Sequence, residues 1–223
     1  TGLFFVIKRN KKNAEEKALI QQRIAETKLE ALKSQMNPHF TFNAMNTIQD
    51  FIISNDIDNS LNFVSELAKL MRLTLDNSTK KTITLQEEIA FLQHYIYIEN
   101  TRFGNKININ LSIDSKINAQ EIEFPTMLLQ PFIENVFVHA FNAEYPNPKL
   151  DISFQLNETH VLECRIKDNG KGIASFNKVK LHTSKALQLA EERLHLIQPQ
   201  ISNPITINFT ESEGTFVVIL LQI

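Results

Sequence analysis

Gly104-Asn105-Lys106-Ile107-Asn108-Ile109-Asn110-Leu111-Ser112-Ile113 is the stretch at which the chain changes its period. Before Gly104 the apolar residues recur at helical spacing. From Ile107 onward they alternate with polar residues, the pattern of a half-buried strand. Gly104-Asn105 ends the helix that precedes it, so the chain divides here into an all-helical half and a half in which strands and helices interleave. Strands are predicted over residues 107–113, 150–156, 161–167, 205–209 and 215–223, and helices over 126–140 and 184–197. Such interleaving builds layers. The fold class is therefore α+β, a helical region followed by an α/β sandwich.

Upstream, Thr84-Leu85-Gln86-Glu87 has the form of a capping box and launches a helix to about residue 102. Two amphipathic helices precede it. Phe42, Met45, Ile48, Phe51 and Ile52 mark the first, and Leu61, Val64, Leu67, Ala68, Met71 and Leu75 the second, with Ser54-Asn55-Asp56 as the turn between them. Each has a wide apolar face that a lone hairpin cannot bury, and pairing with a second copy into a four-helix bundle would cover both. A kink or restart is expected at Asn37-Pro38. Residues 14–36 contain no Gly or Pro, and Ala18, Ala25, Leu29, Leu32 and Met36 recur as a heptad seam. A parallel coiled coil fits that spacing, and so does a plain amphipathic helix. The opening Thr1-Gly2-Leu3-Phe4-Phe5-Val6-Ile7 run is followed by Lys8, Arg9, Lys11 and Lys12. A bilayer needs about 20 residues of helix, but an apolar end bordered by basic residues matches the cytoplasmic edge of a spanning segment. A stray apolar start to a helix is the alternative. The expected divisions are residues 1–12 as membrane edge and basic flank, 13–80 as coiled coil and hairpin, and 81–223 as the sandwich with its leading helix.

Composition narrows the function. The 223 residues are 43% hydrophobic and 22% charged, which suits a folded globular protein and disfavours both wholesale disorder and a polytopic membrane protein. A formal charge of -2 provides no general field for nucleic acid or anionic lipid. The single cysteine, Cys164, cannot form an intramolecular disulfide, and no Cys/His cluster points to zinc. A reducing compartment is expected.

Two segments carry chemistry. In Gln130-Pro131-Phe132-Ile133-Glu134-Asn135-Val136-Phe137-Val138-His139, a carboxylate and an amide interrupt an otherwise apolar helix and must meet water, a partner or a ligand. Asn135 is a candidate oxygen ligand for magnesium, which keeps waters and phosphate oxygens as its other ligands. Glu134 could accept a proton. In Asp168-Asn169-Gly170-Lys171-Gly172, Asp168 ends a strand where its carboxylate could accept from an exocyclic amine such as adenine's, and Gly170 and Gly172 let the backbone pass close to a ligand. In isolation this pentapeptide equally describes an Asx-type turn.

The segment Leu32-Lys33-Ser34-Gln35-Met36-Asn37-Pro38-His39-Phe40-Thr41-Phe42-Asn43-Ala44-Met45-Asn46, taken with the two segments above, resembles the LytS/YehU-type sensor histidine kinases over roughly residues 25–223. The resemblance implies a phosphoacceptor histidine at His39 on a dimerisation hairpin, and an ATP-binding domain of the kind shared by histidine kinases, gyrase and Hsp90. It implies that Glu134 is the proton acceptor of the N box, Asn135 its magnesium ligand, Asp168 the adenine-binding acid of the G1 box, and Gly170 and Gly172 that box's glycines. ATP and Mg2+ follow as cofactors. A homodimer, a response-regulator receiver domain and the bacterial plasma membrane follow as partners, and nucleic acid does not. The imidazole of His39 suits the role, being largely neutral and nucleophilic near pH 7. His94, His160, His182 and His195 are read as ordinary hydrated histidines, and His139 as a support for its helix.

One departure stands out. Glu192-Arg193-Leu194 matches a family stretch, but the glycines expected before it are replaced by Ser184 and Ala186, and the usual Asn by Leu189. Ser184 and Lys185, at the helix start, are the candidates for phosphate contact in their place. The alternative function is a catalytically weak or inactive signalling module that transmits conformation. A gyrase-like ATPase would share the nucleotide fold but leave His39 unexplained.

Overall fold

In the computed structural model the described residues are 38–141, 145–171, 185–198, 201, 204–210 and 214–223. Helix α1 (Pro38–Ile53) starts at the proline, as suits a residue without a backbone donor, and is followed by α2 (Ile57–Asn77), whose N-cap Asp56 accepts from the Asn59 amide. Ala44, Phe63, Leu67 and Leu70 fill the inner side of this hairpin, while Phe42, Met45, Ile52, Ile53, Ile57 and Leu61 stand exposed. The predicted heptad seam and the basic flank lie outside the described residues. No described helix is long and apolar enough to cross a membrane.

A short strand β1 (Thr82–Thr84) runs into α3 (Leu85–Arg102). Both arms of the predicted capping box are present: the Glu87 amide donates to Thr84 Oγ1 at 3.1 Å and the Thr84 amide to Glu87 Oε2 at 2.8 Å. Gly104 and Asn105 end the helix with φ of 68° and 57°. Helix α3 lies between the hairpin and the sandwich, and a pairing of Glu66 on α2 with His94 on α3 helps to fasten it.

Strand β2 (Asn108–Ile113) opens the mixed five-stranded sheet, which continues with β4 (Lys149–Leu156), β5 (Val161–Asp168), β6 (Ile205–Thr210) and β7 (Gly214–Gln222). The order is β2-β4-β5-β7-β6, with β2 and β4 parallel and every other pair antiparallel. Leu150, Ile152 and Phe154 of β4, Leu162, Cys164 and Ile166 of β5, and Val217, Ile219 and Leu221 of β7 are buried at every second position. One face of the sheet is thus core. Helix α5 (Lys185–Ile197) contributes Ala190 and Leu194 to the same core. The α+β class is as expected.

Two elements depart from the sequence-based expectation. Strand β1 pairs antiparallel with β3 (Glu123–Pro125), a two-stranded ribbon too short for periodicity to register. The single helix expected over 126–140 is three pieces: a turn, α4 (Gln130–Asn135), and a π-helical turn Val136–Ala140. Met127, Leu128 and Leu129 are buried as a helix would bury them, but Met127 has φ of 54°. The amides of Met127 and Leu129 donate to the Glu88 carboxylate and not to carbonyls one turn back.

Candidate nucleotide site

The site is assembled where the π-helical turn meets the end of β5. Asp168, the last residue of β5, is 2% exposed and pairs in register with Leu150. Its Oδ1 accepts from the Gly170 amide at 2.8 Å and from the Thr215 amide at 3.3 Å. Burial pushes the carboxyl above its ordinary range, and those two amides with the Thr215 hydroxyl pull it back. The acid is held in one orientation before any ligand arrives.

The neighbouring Asn169 anchors the turn on its other side. Its Oδ1 accepts from the Lys149 amide at 2.7 Å, its Nδ2 donates to the Asn147 carbonyl at 3.0 Å, and its own carbonyl accepts from the Tyr145 hydroxyl. The Asx-type turn the sequence admits is formed here, closed by Asp168 Oδ1 accepting from the Gly170 amide two residues on.

Gly170 fixes the distance between the two motifs. The Lys171 amide donates to the Ala140 carbonyl at 3.1 Å, which ties the acidic turn to the last residue of the π-helical turn. A Cβ at Gly170 would lie 2.6 Å from the Ala140 Cβ and 2.8 Å from its carbonyl carbon. Only glycine permits this approach. Gly214 does the same from β7, where φ is 83° and a Cβ would fall 2.8 Å from Asp168 Oδ1.

Glu134 and Asn135 end α4, Glu134 half-buried and Asn135 exposed. The π-helical turn begins at the next residue, and such turns recur where a helix presents functional groups. An exposed amide oxygen is a hard donor suited to magnesium. Among the described residues no group of three or more His, Cys, Asp or Glu forms a metal cluster.

His39 is the second residue of α1. Its side chain, like those of Lys185 and Ala186, is not among those described, and Gly172, His182 and Ser184 lie outside the described residues. The residue after His39 does reach the site's framework. Phe40 stacks on Tyr95 of α3 with ring centroids 5.5 Å apart, and Tyr95 meets Phe137 of the π-helical turn edge-on at 6.4 Å. Burial, then the charges of Glu99 and Glu134, drive the Tyr95 hydroxyl well above its ordinary range. Three aromatic rings thus connect the hairpin to the helix that carries Glu134 and Asn135.

Sequence reasoning missed Thr215 and Glu88. For Thr215 the signal was a Gly-Thr pair opening the last strand. For Glu88 it was a second glutamate placed on the buried side of α3.

The chain matches the histidine kinase family model over residues 27–107. Among curated proteins it is 31% identical to the sensor protein LytS of Staphylococcus epidermidis over 152 residues, 68% of this chain and 25% of that protein. It is 31% identical to the sensor histidine kinase/phosphatase LytS of Staphylococcus aureus over 160 residues, 71% of this chain and 26% of that protein. The chain therefore spans about a quarter of the length of these relatives. Among solved structures, the histidine kinase domain of the Erythrobacter litoralis blue-light activated histidine kinase aligns at TM-score 0.49 and 14% identity, covering 83% of this chain and 95% of that one. Acinetobacter baumannii histidine kinase AdeS aligns at TM-score 0.46 and 14% identity, covering 90% of this chain and 93% of that one. The chain belongs to the histidine kinases, and its sequence relatives place it with the LytS type.

Proposed function

We propose that this chain is the kinase core of a two-component sensor, binding ATP with magnesium, phosphorylating its own His39 and passing the phosphoryl group to an aspartate of a response regulator. The observation that carries the proposal is the joining of Asp168 to the Glu134/Asn135 helix through Gly170 and the Lys171–Ala140 hydrogen bond. On this reading the junction supports the carboxylate assigned to adenine beside the helical segment that bears the residues assigned to magnesium and to proton transfer.

The steps assigned to the residues are these. Asp168, oriented by Gly170 and Thr215, accepts from the adenine amine. Asn135 offers its amide oxygen to magnesium, which when bound neutralises charge on the phosphates. A nitrogen of His39 attacks the γ-phosphorus. The N–P bond forms as the bond to the β–γ bridging oxygen breaks, ADP leaves with that electron pair, and the proton on the other ring nitrogen passes to Glu134 or to water. Transfer of this kind requires chiefly positioning. Ser184 and Lys185 are assigned to the triphosphate, and Gly172 to close passage of the backbone beside it.

The exposed side chains Phe42, Met45, Ile52, Ile53, Ile57 and Leu61 support a homodimer, since a second hairpin would cover them. The membrane is reached through residues preceding the hairpin. A second reading, a signalling module without transfer activity, is favoured by Ser184 and Ala186 in place of lid glycines.

The deciding experiment is incubation of the parent and His39→Gln with γ-labelled ATP and magnesium. Acid-labile, base-stable label on the parent alone supports the kinase and its acceptor together. ATP binding without label on the parent favours the second reading, and restoring glycines at 184 and 186 then tests whether the lid is at fault.

A further inference from the structure

Glu88 lies outside the nucleotide site and is 0% exposed. Its Oε2 accepts from the Met127 amide at 3.0 Å and its Oε1 from the Leu129 amide at 3.1 Å. Both donors belong to the turn between β3 and α4. That turn is poorly supported by itself. Met127 sits at φ of 54°, a conformation uncommon for a residue with a side chain, and the Thr126 hydroxyl is buried without a partner. Leu129, at the N-cap of α4, makes no side-chain cap. The donors at the helix start therefore depend on a carboxylate supplied by a different helix. On the far side of the turn, Arg193 of α5 donates from Nη1 to the Thr126 carbonyl at 3.0 Å.

The helix launched from this turn is only six residues long and carries Glu134 and Asn135 at its end. A displacement at its start moves both. We propose that Glu88 is a positioning residue for phosphoryl transfer: its carboxylate clamps the Met127–Leu129 turn and so sets the placement of Glu134 and Asn135. The proposal rests on the kinase reading for its catalytic consequence, but the clamp itself does not.

The clamp needs both carboxylate oxygens as acceptors. A proton on either one makes that oxygen a donor and a poorer acceptor, which weakens its hold on the amide it faces. Burial raises the Glu88 carboxyl from the ordinary 4.5 to about 7, against the pull of the Leu129 and Met127 amides and the Arg193 charge. The other titratable group coupled to it is the buried Cys164 of β5, whose thiol is pushed well up by burial and then by Glu88. Protonation near neutrality loosens the turn while the apolar packing of α3 remains.

Two measurements on the full chain test this. In the first, the amide resonances of Met127 and Leu129 are followed against pH in the parent and in Glu88→Gln. Both are expected to titrate together with a midpoint of about 7 in the parent and to be flat in the variant. Amides that do not respond to Glu88 overturn the clamp. The second compares autophosphorylation at pH 8, where loss of a supporting carboxylate is expected to lower turnover roughly 10- to 100-fold. Affinity for ADP without magnesium, which depends on Asp168, should stay within about twofold, because the adenine grip is a separate junction. Parent-like turnover in Glu88→Gln, or an equal loss of ADP affinity, overturns the positioning role. A parent that takes no label refutes the kinase reading and with it the catalytic consequence, while the amide titration still decides the clamp. Should Glu88→Gln fail to fold, the parent's own titration decides it.

Discussion

Gly170→Ala tests whether the junction between the two motifs is what makes the site. The glycine is not needed for its backbone angles, since φ is negative or extended there; it is needed for space. An added methyl would stand 2.6 Å from the Ala140 Cβ and 2.8 Å from its carbonyl carbon. Side-chain contacts that short do not persist, so the acidic turn and the π-helical turn must separate by several tenths of an ångström. Overpacking of this kind costs about 1–3 kcal/mol. The Lys171–Ala140 hydrogen bond stretches with it, which adds about 0.5–1.5 kcal/mol. A total of roughly 2–4 kcal/mol is shared between folding and nucleotide affinity. Borne wholly by the site, it corresponds to about 30- to 700-fold in dissociation constant. Urea unfolding and a nucleotide titration on the same samples measure the two shares. Because two of the three clashing atoms belong to the Ala140 backbone, Ala140→Gly in the same chain should not restore binding. Unchanged stability and affinity in Gly170→Ala, or full rescue by Ala140→Gly, would refute the reasoning.

Three further outcomes are expected. Thr84→Ala removes one arm of the capping box and should lower stability by about 1 kcal/mol, read as a fall in Tm with the ATP dissociation constant unchanged. Tyr95→Ala breaks the ring chain from Phe40 to Phe137; labelling of His39 should fall more than ATP binding does, and Tyr95→Phe should recover most of the difference because the rings carry the contact. Folding stability should decline as pH rises from 4.5 towards 7, because native Glu88 holds its proton up to about 7 while the unfolded carboxyl releases it near its ordinary value. The span is roughly 3 kcal/mol, and Glu88→Gln, measured by urea unfolding at several pH values, should flatten it.

Much of this architecture was legible because apolar periodicity is a local property. The change of period at Ile107, the capping box at Thr84 and the alternating strands β4, β5 and β7 all stand where sequence reasoning places them. What escaped depends on contacts between distant segments. Residues 126–129 look helical because Met127, Leu128 and Leu129 are buried, but their amides find an acceptor 39 to 41 positions away on α3. Glu88 was readable only in part. It shares a side of α3 with Leu85, Leu92 and Tyr95, and a charge among buried residues signals that something must satisfy it. What satisfies it cannot be read from α3 alone. Thr215 was hidden likewise, since its partner Asp168 belongs to a different strand.

The stability and the activity assigned to Glu88 run in opposite directions with pH, and this bears on why a carboxylate occupies the core. For folding, the protonated form is favoured at every pH below about 7. An apolar side chain at 88 would remove that penalty but strand two buried amides, each worth about 1–3 kcal/mol unpaired. The two effects are of similar size, so stability gives no strong reason to keep an acid there. Geometry does. An ionised carboxylate accepts strongly from Met127 and Leu129 at once, and their joint capture holds the left-handed turn that launches Glu134 and Asn135. The buried charge thus serves the placement of a short helix, and its cost falls on the fold.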